Sequence, residues 1–175
     1  MFKEKFTAEK MCKLALLIAL QVVLARFISI NAMGVRIGFS FVPVMVAAYL
    51  YGPLSAGAVS ALADLIGVFL FPTGPYHPGF TVIAFAMGVV SGLLLDMNCG
   101  VGAKYWGKVV LSVVINNLIL GLFVNSLWLS QLYGSKTYGG WVVYRLTEYA
   151  VMVPIQIALA PVVRKIALTL EKLRR

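Results

Sequence analysis

Long apolar runs interrupted by single polar residues dominate the chain. After a basic start carrying Lys3, Lys5, Lys10 and Lys13, apolar positions run from Leu14 to Ala25 and resume beyond Arg26 in Phe27, Ile28 and Ile30. The pattern predicts a first span over about Glu9 to Ile30. From Phe39 to Phe71 the one charged residue is Asp64. As a single helix, at ~1.5 Å per residue, that stretch would reach about 50 Å, against a hydrocarbon core of ~30 Å. Gly52-Pro53 near its middle supplies the break and predicts two helices, about Phe39 to Tyr51 and Pro53 to Phe71. Pro43 is expected to kink the first of them. Further spans are expected over about Phe80 to Asp96, Val109 to Leu132 and Trp141 to Ala167. In the fourth, Ala84, Gly88 and Gly92 form a face for tight helix packing. The fold expected is an all-α membrane protein, a compact bundle of six transmembrane helices making one integral membrane domain over residues 1–175.

Composition agrees. With 61% hydrophobic and 12% charged residues and a mean hydropathy of +0.93, the chain departs from the roughly 25% charged residues of soluble domains. The basic start and the run to Ala25 also have the form of a secretory signal peptide, but the apolar residues after Arg26 favour a span that stays. A six-span layout puts Lys3, Lys5, Lys10, Lys13, Lys104, Lys108, Arg164, Lys165, Lys172, Arg174 and Arg175 on one side. By the positive-inside rule that side is the cytoplasm and holds both termini. The net charge of +9 is what this asymmetry produces, and nucleic-acid binding is not expected. Cys12 and Cys99 belong to no C-x-x-C or Cys/His cluster, so neither a disulfide nor a metal site is expected.

Arg26, Arg36, Lys136 and Arg145 are left on the outer side, where topology does not require them. Arginine offers planar donors suited to carboxylate, although an arginine at a span end also snorkels to head groups without further function. Asp64 is costly inside a span and marks either a site or an acid bonded to a neighbouring helix. Close after it comes the loop FPTGPYHPGFT, in which prolines restrict the backbone while Tyr76, His77 and Phe80 offer flat faces. Asn116, Asn117 and Asn125 in the fifth span serve equally as interhelical glue or as ligand donors. Arg145 and Glu148, three apart, could pair on one helix face, yet they and Tyr149 also fall near the outer side. Trp128 and Trp141 are expected as interfacial anchors. A flat heterocycle with an acidic tail would satisfy arginines, a buried carboxylate and stacking aromatics together. Ala15 and Ala19 stand four apart on one face of the first span, a small-xxx-small pair that admits another helix, of this bundle or of a partner.

The segments LARFISI, RIGFSFVPV and YGPLSAGAVSALADLIGVFLFPTGPYHPGFT resemble the folate-specific substrate-binding subunits of energy-coupling factor vitamin transporters. The likeness runs over nearly the whole chain and is most specific from Ala61 to Thr81. It implies capture of folate from outside a bacterial cell membrane, without catalysis and without a cofactor of the chain's own. ATP would be used on two cytoplasmic ATPases, coupled through a transmembrane partner protein that the Ala15/Ala19 face would dock. Carried to matching positions, the resemblance makes Arg26 and Asp64 ligand residues and Pro75 to Phe80, with Tyr76 and His77, the gate. Arg36, Asn117, Arg145 and Tyr149 join the expected ligand-binding set by their depth in the spans.

The chain has no G-x-x-x-x-G-K-[ST] phosphate loop, so energy for active transport must come from a partner. The alternative is a stand-alone secondary transporter or channel, with Asp64 on an ion path. An embedded enzyme is disfavoured, since the one histidine lies in a proline-rich loop with no serine at evident spacing.

Overall fold

The computed structural model describes residues 7–32, 35–72, 76–95, 102–133 and 137–174, apart from the side chains of 30–32, 35–37, 133 and 173–174. Helix α1 spans Ala8–Arg26, a hairpin pairs β1 (Ile30–Ala32) with β2 (Val35–Ile37), and α2 covers Phe41–Leu70. Then come α3 (Pro78–Leu94), α4 (Ala103–Val114), a π-helical segment (Ile115–Val124), α5 (Asn125–Tyr133) and α6 (Tyr138–Arg174). The architecture is all-helical except for the hairpin. Phe41–Leu70, Ala103–Leu132 and Tyr138–Lys172 are long and apolar enough to cross a bilayer, and Pro78–Leu94 is a shorter apolar helix. The outer surface suits such a medium, since Leu16, Phe69 and Val143 are each about 70% exposed.

The break in the long apolar run falls where Gly-Pro places it. Gly52 takes φ 77° and ψ −170°, a conformation open to glycine at little cost, and α2 turns there. Pro43 does not kink the helix, as its position suggested. It sits in the first turn of α2, where the missing amide donor has no helical acceptor to lose. Helices α2 and α3 pack closely through glycines. A Cβ on Gly88 would stand 2.4 Å from the Ala56 carbonyl oxygen, and one on Gly92 would stand 2.3 Å from the Pro53 Cα.

Other boundaries shift for local reasons. α1 stops at Arg26 rather than Ile30; the Ser29 hydroxyl donates to the Ala25 carbonyl at 2.7 Å, and the β-branched residues beyond it enter an antiparallel pair with Ile30 opposite Ile37. α3 begins at Pro78 because His77 caps it, the imidazole Nδ1 accepting from the Gly79 amide at 3.0 Å. Proline then occupies the first turn. α6 is 37 residues long and runs unbroken through Pro154 and Pro161, extending beyond the span expected to end at Ala167.

The core joins α1, α2, α4 and α6 through Leu14, Met45, Val59, Val109, Val113 and Val163. Near the end of the bundle that carries the N-terminus, the Tyr49 and Tyr105 hydroxyls meet at 3.2 Å. There the Arg164 guanidinium lies over the Tyr105 ring at 5.2 Å and the Lys10 ammonium over Tyr51 at 5.4 Å. Both cations thus cover aromatic faces. That end is filled, and open space remains toward the other.

Candidate functional site

A cavity of about 310 Å³ opens between α1, α2, α3, the π-helical segment, α5 and α6. Its size lies within the range of small-molecule sites. Helical spacing builds its walls. On α6, Arg145, Glu148, Tyr149, Met152 and Gln156 recur at three- and four-residue steps, so one stripe faces inward. Ala84, Met87 and Ser91 do the same on α3, and Gln21 contributes from α1. Phe41, Tyr149, Met45, Met87 and Met152 supply flat and polarizable surface.

Arg145 is held from three directions. Its Nε donates to Glu148 Oε2 at 3.4 Å, its Nη1 to the Gly121 carbonyl at 3.3 Å and its Nη2 to the Tyr149 hydroxyl at 2.8 Å. The Arg145 and Glu148 side chains are only 12% and 10% exposed. Breaking such a pair from one side leaves a buried charge without its partner, at a cost of about 3–5 kcal/mol. The pairing anticipated between these residues is present, and both also line the cavity.

The carboxamides divide into two kinds. Asn117 Nδ2 donates to Gln156 Oε1 at 2.7 Å and to the Val113 carbonyl at 2.8 Å, while Gln156 Nε2 returns a bond to Asn117 Oδ1 at 3.3 Å. Both groups of Asn117 are therefore engaged, and it ties the π-helical segment to α6. Its neighbour Asn116 differs. Asn116 Nδ2 donates to Ser91 Oγ at 2.8 Å, and the Ser91 hydroxyl is itself donated to the Met87 carbonyl at 2.9 Å. Since the serine proton is committed, Asn116 must present its NH2 to Ser91, which fixes the flip of the amide. Its Oδ1 is then buried without a partner among the described residues, as are Gln21 Oε1 and Asn125 Oδ1. All three residues line the cavity. An unpaired buried acceptor costs about 1–3 kcal/mol; the three oxygens are themselves closed to solvent, so it is other atoms of these residues that face the space. The π-helical segment runs ten residues, and such geometry recurs at functional sites.

A second polar group lies about one turn farther along the helices. On α2 it is reached from Ser60 to Asp64, on α3 from Ala84 to Thr81, and on α1 from Gln21 to Arg26. The Thr81 hydroxyl donates to Asp64 Oδ2 at 2.8 Å and lies 3.1 Å from the Tyr76 hydroxyl. The Arg26 guanidinium lies against Gly67, with Nε 2.9 Å from where a Cβ would stand. Tyr76 packs on Phe69, and the His77 ring stacks on Trp128 with centroids 4.7 Å apart and planes 25° apart. Trp128 is therefore packed against this turn; a side chain on Gly79 would collide with its indole.

Of the residues expected to bind ligand, Asn117, Arg145 and Tyr149 line the cavity, while Arg26, Asp64, Tyr76, His77 and Phe80 are not among its lining residues and belong to the rim. Arg36 is on β2 opposite Asn31, and its side chain is not among those described. Pro75 lies outside the described residues. Ala15 and Ala19 are both exposed on α1, so they do not pack within this bundle. Gln21, Gln156, Ser60 and Ser91 were not anticipated, though each is a polar residue in an apolar run, the signal that singled out Asp64. Among the described residues no group of three or more His, Cys, Asp and Glu could hold a metal ion.

Comparison with known proteins adds an independent line. The family model for the substrate-specific component of ECF transporters matches residues 9–164. A folate transporter FolT of Clostridium novyi is 40% identical over 145 residues, covering 83% of this chain and 81% of that protein. The folate transporter FolT of Leuconostoc mesenteroides is 26% identical over 160 residues, 89% of this chain and 84% of the relative. A crystal structure of FolT bound with folic acid superposes with a TM-score of 0.78 at 29% identity, covering 88% and 91% of the two chains. An S component of a bacterial ECF transporter shares the fold at a TM-score of 0.59 and 20% identity, over 94% of each chain. A cavity lined by aromatic, methionine, carboxamide and charged side chains thus occurs in a chain that belongs to the substrate-specific components of ECF transporters.

Proposed function

We propose that this chain captures folate from outside the cell and passes it to an ATP-driven module. The observation that carries the reading is the 40% identity to a folate transporter over 83% of the chain. The cavity supports it, because its aromatic and methionine walls suit a flat ring and its serine and carboxamide residues suit a ring with a polar edge. The rim supports it as well. Arg26 stands five residues beyond Gln21 on α1, about 7.5 Å farther along the axis, within reach of the acidic tail of a ligand whose ring lies below. Tyr76, His77 and Phe80 would cover the tail, and Asp64 would hold the rim together through Thr81.

In this reading the polypeptide crosses a bacterial cell membrane six times, with the two arms of α2 on either side of Gly52 counted separately and both termini in the cytoplasm. It catalyses no reaction and carries no cofactor. A transmembrane coupling protein and two cytoplasmic ATPases supply the energy. The exposed Ala15 and Ala19 offer the coupling protein a close approach. Asp64 has the setting of a helix-to-helix hydrogen bond, which gives the ion-path alternative no support.

Titration of the purified chain by tryptophan fluorescence against folic acid, riboflavin, biotin and a pterin lacking the glutamate tail tests the reading. Saturable binding of folic acid, weaker for the tailless pterin, is the expected result; absence of folic acid binding would reject it. With Ala15→Leu and Ala19→Leu together, binding should persist while uptake in cells that hold the coupling module disappears.

A further inference from the structure

We propose that His77 is a proton-sensitive fastening of the cavity rim, closed while its imidazole is neutral and loosened when the ring takes up a proton. The ring is held on two sides. Its Nδ1 accepts from the Gly79 amide at 3.0 Å and so caps α3, while its face stacks on Trp128 of α5 with centroids 4.7 Å apart. Phe80 meets it at a steep angle, centroids 6.1 Å apart. Imidazole is the side chain that changes charge between about pH 5 and 8, and this is the one histidine of the chain. For transport, the inference rests on folate entering and leaving past this rim.

Where the proton goes follows from the cap. A neutral ring that accepts at Nδ1 carries its hydrogen on Nε2, so a second proton has only Nδ1 to occupy. There it meets the Gly79 N–H, donor against donor, and the cap is lost. The new charge also stands at the N-terminus of α3, where the helix dipole opposes it. A cation over an indole is favourable in itself, which keeps the ring on Trp128 and leaves the first turn of α3 as the part that gives way. Phe80 and Thr81 lie at that start of the helix. Thr81 holds Asp64 of α2 at 2.8 Å and lies 3.1 Å from the Tyr76 hydroxyl, so loosening there reaches the rest of the rim. The charged groups on the neighbouring helices are engaged elsewhere: Asp64 with Thr81, Arg26 of α1 beside Gly67, and Arg145 and Glu148 of α6 with each other. Among the described residues no carboxylate contacts the imidazole to hold its proton in place of the cap.

The test has one readout without ligand and one with it. Tryptophan emission of the full, ligand-free chain in detergent is followed from about pH 7.5 to 5.5. A step is expected as charge forms beside the Trp128 indole, and it should be absent in His77→Asn, which keeps an acceptor for the Gly79 amide but does not titrate. Release of preloaded folic acid should be about 3- to 10-fold faster at the acidic end, the factor to which the loss of one helix cap corresponds. In His77→Asn the release rate should be the same at both ends of the range, and any titration of the ligand itself is common to the two proteins. Absence of the emission step in the unmodified protein would overturn the inference with no variant and no ligand involved. So would equal release at the two pH values, or a step or a pH-dependent release that persists in His77→Asn. No binding of folic acid at any pH would instead reject the folate reading, and the emission step would then decide the proton-sensitive contact by itself.

Discussion

The rim and the cavity beneath it are two polar regions in one apolar bundle, and they use their polar groups in opposite ways. At the rim the Asp64 carboxylate accepts from Thr81, Tyr76 lies within bonding distance of the same hydroxyl, and the His77 imidazole caps α3 while its ring stacks on Trp128. These contacts fasten α2, α3 and α5 together. One turn deeper, Asn117 and Gln156 also serve the fold, but Gln21, Asn116 and Asn125 keep acceptors that no described residue meets. The isolated charge at the rim is the more conspicuous feature, yet the larger number of polar side chains lines the cavity. Polar groups at the rim are spent on joining helices, whereas those of the cavity wall also border the space a ligand would fill.

Substitutions can sharpen or break this contrast. The largest effect is expected from Arg145→Leu, which strands the Glu148 carboxylate in the cavity wall. Stability in detergent should fall by about 3–5 kcal/mol, and Arg145→Leu combined with Glu148→Leu should recover much of the loss. A double variant no more stable than the single one would show that the pair is not the unit that matters. Next is Asn117→Leu, which leaves Gln156 without its partner and should cost about 1–3 kcal/mol of stability. Thermal unfolding should report it, while the preference for folic acid over the tailless pterin stays as it was; a change in that preference would move Asn117 from the fold to the binding of ligand. The smallest effect is expected from His77→Asn, which keeps a side-chain acceptor for the Gly79 amide but removes the ring stacked on Trp128, worth about 0.5–1.5 kcal/mol. Tryptophan emission should shift as the indole loses its cover, with faster release of bound folic acid. Unaltered emission and release would exclude the stack as part of the closure.

Much of the fold was legible because its signals are local. Gly52-Pro53 announces a break whatever surrounds it, and Gly88 and Gly92 announce a close helix contact by their spacing alone. The hairpin was not legible, since its three-residue strands carry the same apolar residues as the spans around them. Nor was the π-helical geometry of Ile115–Val124, which changes the register of side chains without changing the hydrophobic pattern. For the site, Arg145, Tyr149 and Asn117 were placed by depth and do line the cavity. What depth could not reveal is that Asn117 is satisfied and Asn116 is not. That distinction depends on Gln156, thirty-nine residues away, and on a serine proton already donated elsewhere. Gln21 was overlooked because a single amide in a helix that also carries lysines draws no notice until the cavity is seen beside it.

The most direct measurement is a crystal structure of the chain with folic acid bound. The account predicts the pterin ring in the cavity, against its aromatic and methionine walls, and the glutamate tail directed toward Arg26. A ring held at the rim beside Asp64, outside the cavity, would contradict it.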